Sequence, residues 1–262
     1  MAYNGFMNKN KRKIKEYPYL YETHLHTSQS SICASSSGKE LACACKEYGY
    51  TGIIVTDHNW YGNTAIKEKL SWAEWVNRFC KGYEDAKQCG DRIGLDVFFG
   101  YESFYDGTEF LIYGVDQEWL LSHPQIKDAG IAEQYELVHQ AGGMVIHAHP
   151  FREEWYIPAI RLFPEYVDGV EAVNGAHSNI LSKRYDKSAY NAKAFDYAGQ
   201  HKLPVTAGSD VHNTAVFGGG IACKRRLTGI QDYIMTVMSD EDYLLTDGVE
   251  WYSKNGDKWI NG

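Results

Sequence analysis

Three pairs of metal-seeking side chains sit two residues apart, each at the end of an apolar run with the pattern of a β-strand. They are His24 and His26 in YLYETHLHT, His147 and His149 in GGMVIHAHP, and Asp210 and His212 in LPVTAGSDVH. In an extended strand, residues i and i+2 point to the same face, so each run aims two ligands in one direction. TGIIVTDHN adds Asp57 and His58, and LDVFFGYES adds Glu102. Imidazole and carboxylate together suit Zn, Mn or Fe better than Mg or Ca, which prefer oxygen alone. A tetrahedral ion needs four ligands, fewer than this set provides; the surplus predicts a multinuclear hydrolytic metal site.

Donors so far apart in sequence meet only if the fold brings strand ends together. Apolar runs at 19–24, 52–57, 96–101, 109–115, 144–148, 168–173, 204–208 and 219–223 read as strands. Helix-like stretches near 38–49, 64–89, 129–141, 178–200 and 228–239 alternate with them. Gly49, Gly142, Gly143 and Gly199 fall where those helices should stop. Alternation of this kind predicts a parallel sheet with crossover helices. The run TEFLIYGV follows the Glu102 strand after only Tyr105-Asp106-Gly107 and reads as a hairpin or an irregular excursion. Every candidate ligand falls at the end of a strand. In a closed barrel such ends form one mouth, whereas an open sheet spreads them along an edge. The expectation is therefore a single α/β barrel domain. Lys224, Arg225 and Arg226 follow the last of these strands and are expected on the mouth side.

The 262 residues, 44% of them hydrophobic, suffice for one large core. No apolar run approaches the ~20 residues needed to cross a bilayer. The opening MAYNGFMNKNKRKIK lacks the apolar centre of a secretory signal. Residues 1–17 read as a basic, mobile tail ahead of a domain over 18–262 that ends in a C-terminal extension. A net charge of -8 weighs against long nucleic acid as a partner. The six cysteines show no zinc-ribbon spacing, and without an export signal reduced thiols and a cytoplasmic location are expected.

Taken in order, the motifs resemble the polymerase and histidinol phosphatase (PHP) superfamily of metal-dependent phosphoesterases. The matching segments are His24-Leu25-His26-Thr27, Thr56-Asp57-His58-Asn59, Gly100-Tyr101-Glu102, His149-Pro150 and Gly208-Ser209-Asp210-Val211-His212. Glu171 in VEAVNG also falls where that family has an acid, and the likeness runs from about residue 18 to 246. It implies a distorted (β/α)7 TIM-like barrel. It also implies a first ion held by His24, His26, Glu102 and Asp210. Glu102 would bridge to a second ion bound by His149, and His58 and His212 would hold a third. Where trinuclear relatives carry a further histidine this chain reads SQSSICASSSG, which leaves that place to Cys33 or to water. Some relatives complete the second ion with a histidine between the Glu102 and His149 positions; His123 and His139 lie in that interval. His147 points the right way by strand period, but its position is not a usual ligand site in the family.

Other residues carry more than one reading each. Asp57 either ligates, supports a ligand histidine from behind, or serves as the catalytic acid for the leaving group. Arg152 either meets a phosphate oxygen through its planar fork or pairs with Glu153 or Glu154. Glu171 orients a ligand or binds substrate, and His177 reaches substrate or opens a helix. The expected activity is hydrolysis of a phosphate ester, most simply a small phosphomonoester. A water whose pKa the cations lower would attack phosphorus. The resemblance adds histidinol phosphate and nucleotides as substrate types. The rival readings are C–N hydrolysis of the amidohydrolase kind and a metal-binding domain without turnover.

Overall fold

The computed structural model describes residues 14–178 and 188–260. Residues 1–13 of the basic stretch, and residues 179–187 of the helix expected over 178–200, lie outside the described residues. One sheet contains β1 (Tyr19–Leu25), β2 (Gly52–Val55), β3 (Asp96–Tyr105), β4 (Thr108–Tyr113), β5 (Met144–Ala148), β6 (Gly169–Asn174), β7 (Val205–Gly208), β8 (Gly219–Cys223), β9 (Tyr243–Asp247) and β10 (Trp251–Tyr252). Their order across it is β10-β9-β8-β1-β2-β3-β4-β5-β6-β7. Parallel pairing joins β1, β2 and β3, and again β5, β6 and β7. Antiparallel pairing holds β4 to both its neighbours, β8 to β1 and β9, and β10 to β9.

The fold is thus α/β with a mixed, ten-stranded sheet, and it departs from a regular sevenfold (β/α) repeat. For β4 the reason is local. A parallel crossover needs a dozen or more residues, and only Asp106 and Gly107 separate β3 from β4. The sheet curls until strands far apart in its order touch. Tyr113 on β4 donates its hydroxyl to the Thr23 carbonyl on β1 at 2.8 Å, and Tyr243 on β9 donates to Val205 on β7 at 2.8 Å. Beyond β7, Val211 accepts from His26 N at 2.8 Å and donates to the His24 carbonyl at 3.1 Å, so the chain closes onto β1.

Among the described residues the α-helices are α1 (Gly38–Tyr48), α2 (Trp72–Phe79), α3 (Lys81–Ile93), α4 (Gln117–Ser122), α5 (Ile131–Gln140), α6 (Gly175–Ser178), α7 (Ser188–His201) and α8 (Ile230–Met238). The single helix expected over 64–89 is two. Ser71 and Glu74 form a reciprocal capping box that starts α2, a start signal hidden inside the periodic run. Residues 14–17, expected to be mobile, pack instead: Ile14 and Tyr17 are buried with Leu20, Leu41 and Leu244. No helix among the described residues is long and apolar enough to cross a membrane.

Strand direction also relocates the basic run. Because β8 is antiparallel to β1, its C-terminal end lies opposite the mouth. Lys224 pairs there with Asp242, Arg225 with Asp232 and Glu241, and Arg226 with Asp96. All three are occupied away from the site.

β1 and β8 approach so closely that a Cβ on Gly220 (φ 136°) would lie 2.1 Å from the Tyr21 carbonyl oxygen. Gly220→Ala is expected to lower the unfolding free energy in urea by roughly 1–3 kcal/mol. Gly199→Ala, in α7 with nothing within 4 Å of the added Cβ, should raise it by roughly 0.5–1 kcal/mol. Equal effects at the two sites would contradict this packing.

Candidate metal centre

Glu102 sits at the centre of the mouth. Its Oε1 lies 3.3 Å from His24 Nε2 and 3.1 Å from His149 Nε2. Its Oε2 lies 2.7 Å from His58 Nδ1 and 3.6 Å from His26 Nε2. Each oxygen therefore faces its own pair of imidazoles. Asp210 Oδ1 lies 3.2 Å from His26 Nε2, and 3.6 Å from both His24 Nε2 and His212 Nδ1. The other Asp210 oxygen meets the Arg152 guanidinium. His26 is stacked between the rings of His58 and His212, with centroids at 4.3 and 4.7 Å.

Among the described residues, four sets of three side chains bring ligand atoms within 4.8 Å of one another: His24, Glu102 and His149; His24, His26 and Asp210; His58, Glu102 and Glu109; and His26, His58 and His212. The fit to divalent ions has a specific mark. His58 Nδ1 and Glu102 Oε2 are buried and adjacent, yet neither makes an aligned hydrogen bond among the described residues. Buried polar atoms are nearly always satisfied. Nitrogen and oxygen donors that lie close but do not face each other are arranged about a common centre, as an ion requires.

Electrostatics point the same way. Glu102, Glu109, Glu171 and Asp210 are all buried, and a buried ion costs several kcal/mol unless it is paired. Burial works against a charged His24, but Glu171, Asp210 and Glu102 more than offset it and raise its pKa well above the ordinary value. His58 is raised against burial in the same way, chiefly by Glu102. His26 is lowered, first by burial and then by His58 and His212. Burial raises Glu102 and Asp210, yet His58 and His24 hold the first well below its usual value, as Arg152 and His24 hold the second. The buried carboxylates thus favour positive charge among these histidines, and divalent ions would supply that charge in place of protons.

Surrounding groups fix the orientation. Glu171 Oε1 accepts from His24 Nδ1 at 2.8 Å, which leaves Nε2 for the centre. Its Oε2 accepts from the His149 amide at 3.1 Å and from Asn174 at 3.0 Å. Glu22, which the sequence reading passed over, accepts from the amides of His24 and Ser209 at 3.0 and 2.8 Å. It thereby ties β1 to the turn that carries Asp210. His149 (φ 27°) and Asp210 (φ 58°) both adopt left-handed backbone, a conformation that costs non-glycine residues energy and clusters at functional sites.

The structure separates the expected site residues into groups. His24, His26, His58, Glu102, His149, Asp210 and His212 converge. Arg152 joins them on Asp210, not in a pair with Glu153 or Glu154. Cys33, exposed as a residue, turns its thiol to His212 and His58; burial of that thiol opposes them, but they bring its pKa down to about 7. His177 lies near His149, with ring centroids 6.4 Å apart, and its Nδ1 faces Asn191 Oδ1 at 3.2 Å. Asp57 does not face the cluster. Its carboxylate accepts from Thr27 N and Oγ1 and from Ser31 Oγ, at 2.6 to 2.7 Å, and it reaches His26 only through Ser31, 3.5 Å from Nδ1. His147 turns away, stacked on Phe110 at 5.1 Å. The expected i, i+2 pairing with His149 fails because β5 ends at Ala148 and the left-handed turn at His149 redirects the chain.

Glu109 is the member that sequence reasoning missed. Its carboxylate lies 3.6 Å from His149 Nε2 and 3.8 Å from His58 Nδ1. It occupies the interval in which His123 and His139 were the available histidines; His123 instead faces the Trp119 carbonyl, and His139 pairs with Asp168. The signal was an acid at the start of a strand that follows a two-residue turn, for such a strand enters at the mouth where its neighbours leave.

His149→Ala is expected to remove about one equivalent of bound metal per chain, measured by elemental analysis. His147→Phe, which keeps the aromatic stack, should retain the full content. Loss in both variants, or in neither, would contradict the assignment.

No protein-family model matches the chain, and no curated protein matches it by sequence. Among solved structures it is similar to a two-domain protein from Bacteroides vulgatus that contains a predicted PHP-like metal-dependent phosphoesterase. The TM-score is 0.63 at 12% identity, over 92% of this chain and 68% of that one. It is also similar to an amidohydrolase from Chromobacterium violaceum with bound sulfate and no metal. There the TM-score is 0.51 at 15% identity, over 74% of this chain and 88% of the other. At these identities the likeness is one of fold, which the chain shares with a protein containing a predicted PHP-like metal-dependent phosphoesterase and with an amidohydrolase.

Proposed function

We propose that this protein is a metal-dependent hydrolase of phosphate esters, acting on small phosphomonoesters with two or three divalent ions of Zn, Mn or Fe. The observation that carries this reading is the division of Glu102, with His24 and His149 on one oxygen and His26 and His58 on the other. A carboxylate so placed suits a bridge between two ions. His24, His26, Glu102 and Asp210 would hold the first ion, and Glu102, Glu109 and His149 the second. His58 and His212, with Cys33 beside them, would hold a third. In this reading the curled sheet is a distorted barrel, and a cytoplasmic setting suits its free cysteines.

Bound ions would lower the pKa of water from ~15.7 toward neutrality and polarise the phosphoryl oxygens. The chain's own groups do the rest. Arg152, held on Asp210, presents a planar guanidinium to the equatorial oxygens of the phosphate. Glu171 keeps His24 in one tautomer, and Asp57 steadies the Ser31 hydroxyl behind His26. If His177 Nδ1–H donates to Asn191, its Nε2, buried without a hydrogen-bond partner among the described residues, is an acceptor for water or a substrate hydroxyl. Asp57 is set aside as the leaving-group acid, because Thr27 and Ser31 occupy both its oxygens.

C–N hydrolysis is the rival reading. Arg152 favours the phosphate, since a guanidinium beside the donors matches a dianion and a neutral amide offers it no charge. Elemental analysis, paired with phosphate release from a panel of phosphomonoesters under Mn, Zn and Fe, is expected to give two or three ions per chain and turnover. Metal without release from any ester would point to C–N hydrolysis or to binding alone, and absence of metal under every loading condition would sink the reading. Asp210→Asn should lose metal and kcat together. Arg152→Ala should lower kcat/KM by about 10²-fold with metal content intact, and Arg152→Lys should recover only part of that.

A further inference from the structure

On the phosphoesterase reading, which the following depends on, the mouth must hold the leaving alcohol as well as the phosphate. The segment after β5 crosses that mouth and is pinned at two points. Arg152 is held on Asp210, and Arg161 donates to the carbonyls of Tyr105 and Asp106 in the β3–β4 turn. Between these anchors the strap packs on the same turn, where a Cβ on Gly107 would lie 3.1 Å from Pro158 Cδ. A cleft beneath the strap is lined by Glu109, His149 and Arg152 together with Ile157 and Ile160. Apolar surface therefore adjoins the groups that would hold metal and phosphate.

Trp155 stands on this fixed strap with 94% of its surface exposed, beside Tyr156 at 45% and near Ile160 at 38%. The two rings lie 5.6 Å apart at 89°, and the Tyr156 hydroxyl lies against Arg152. A single exposed aromatic needs no explanation, but two touching exposed rings joined to the site through Arg152 do. The order along the strap, a cation at 152 and rings at 155 and 156, follows the order of groups in a phosphomonoester. Trp155 and Tyr156 are the middle residues of a turn that Ile157 N closes on the Glu154 carbonyl at 2.9 Å, with the Tyr156 hydroxyl towards Arg152.

We propose that Trp155 and Tyr156 form a stacking subsite for a flat aromatic ring on the leaving alcohol. Perpendicular rings make a corner that offers one face and one edge to a planar group, a shape that an aliphatic chain does not use. The preferred substrates are then phosphomonoesters of ring-bearing alcohols.

The test compares 2-phenylethyl phosphate with ethyl phosphate, which share their reacting end, using the metal-loaded protein and its Trp155→Ala and Trp155→Phe variants. The wild-type chain should prefer the phenyl ester in kcat/KM. Trp155→Ala should cut that preference by about tenfold, the scale of one ring stacked on another, and Trp155→Phe should keep most of it. No preference in the wild-type chain, or an equal fall on both esters in Trp155→Ala, would overturn the subsite while leaving the phosphoesterase standing. Release from neither ester would overturn both. A Trp155→Ala variant with unchanged preference that sediments as a smaller species would assign the indole to contact with a second copy, and would also overturn the subsite.

Discussion

A buried carboxylate, Glu102, sets the terms for the rest of this structure. Its charge is tolerable only while positive or hydrogen-bonding partners surround it, because a buried ion left unpaired costs several kcal/mol. The partners are four imidazoles, and they come from three separate places: His24 and His26 from the end of β1 and the residue just past it, His58 from beyond β2, and His149 from beyond β5. A flat sheet could not deliver them to one point. The curl, fixed by the Tyr113 and Tyr243 hydroxyls and by Val211 on β1, is therefore the geometric condition for the buried charge.

The same centre concentrates cost that other residues must absorb. His149 and Asp210 hold left-handed backbone, and each is braced by a buried acid acting on nearby main chain. Glu171 accepts from the His149 amide, and Glu22 accepts from the Ser209 amide just before Asp210. Packing contributes too. A Cβ on Gly82, at the start of α3, would lie 1.9 Å from Thr27 Oγ1, so the helix presses directly on the loop that holds Asp57 and Ser31 in place behind His26. Strain at the donors, acids behind them and a helix backbone behind the acids form a succession of supports, each rigid enough to keep the next in position.

Much of the site was legible because its signals are local. His24 and His26 obey the strand period and converge; Asp210 and His212 converge too, although β7 ends at Gly208 and Asp210 turns left-handed. The same rule failed for His147 and His149, because β5 stops between them and the chain turns. Glu109 was invisible to a rule that looks for ligands where strands end, since β4 runs the other way and offers its beginning to the mouth. Lys224, Arg225 and Arg226 were misplaced for the same reason on β8. The helix over 64–89 was legible as helix, but the Ser71 and Glu74 cap that divides it was not weighed against the apolar period.

The sequence by itself determined which side chains could do chemistry, and that they stand at element ends, because period, caps and turn residues are properties of a few neighbouring positions. Only the tertiary structure decided which of them share a centre. Strand direction, sheet closure and backbone handedness at His149 and Asp210 depend on pairings between residues far apart in the chain. Those pairings place Glu109 beside His149, turn His147 into the core, and send Asp57 to Thr27 and Ser31.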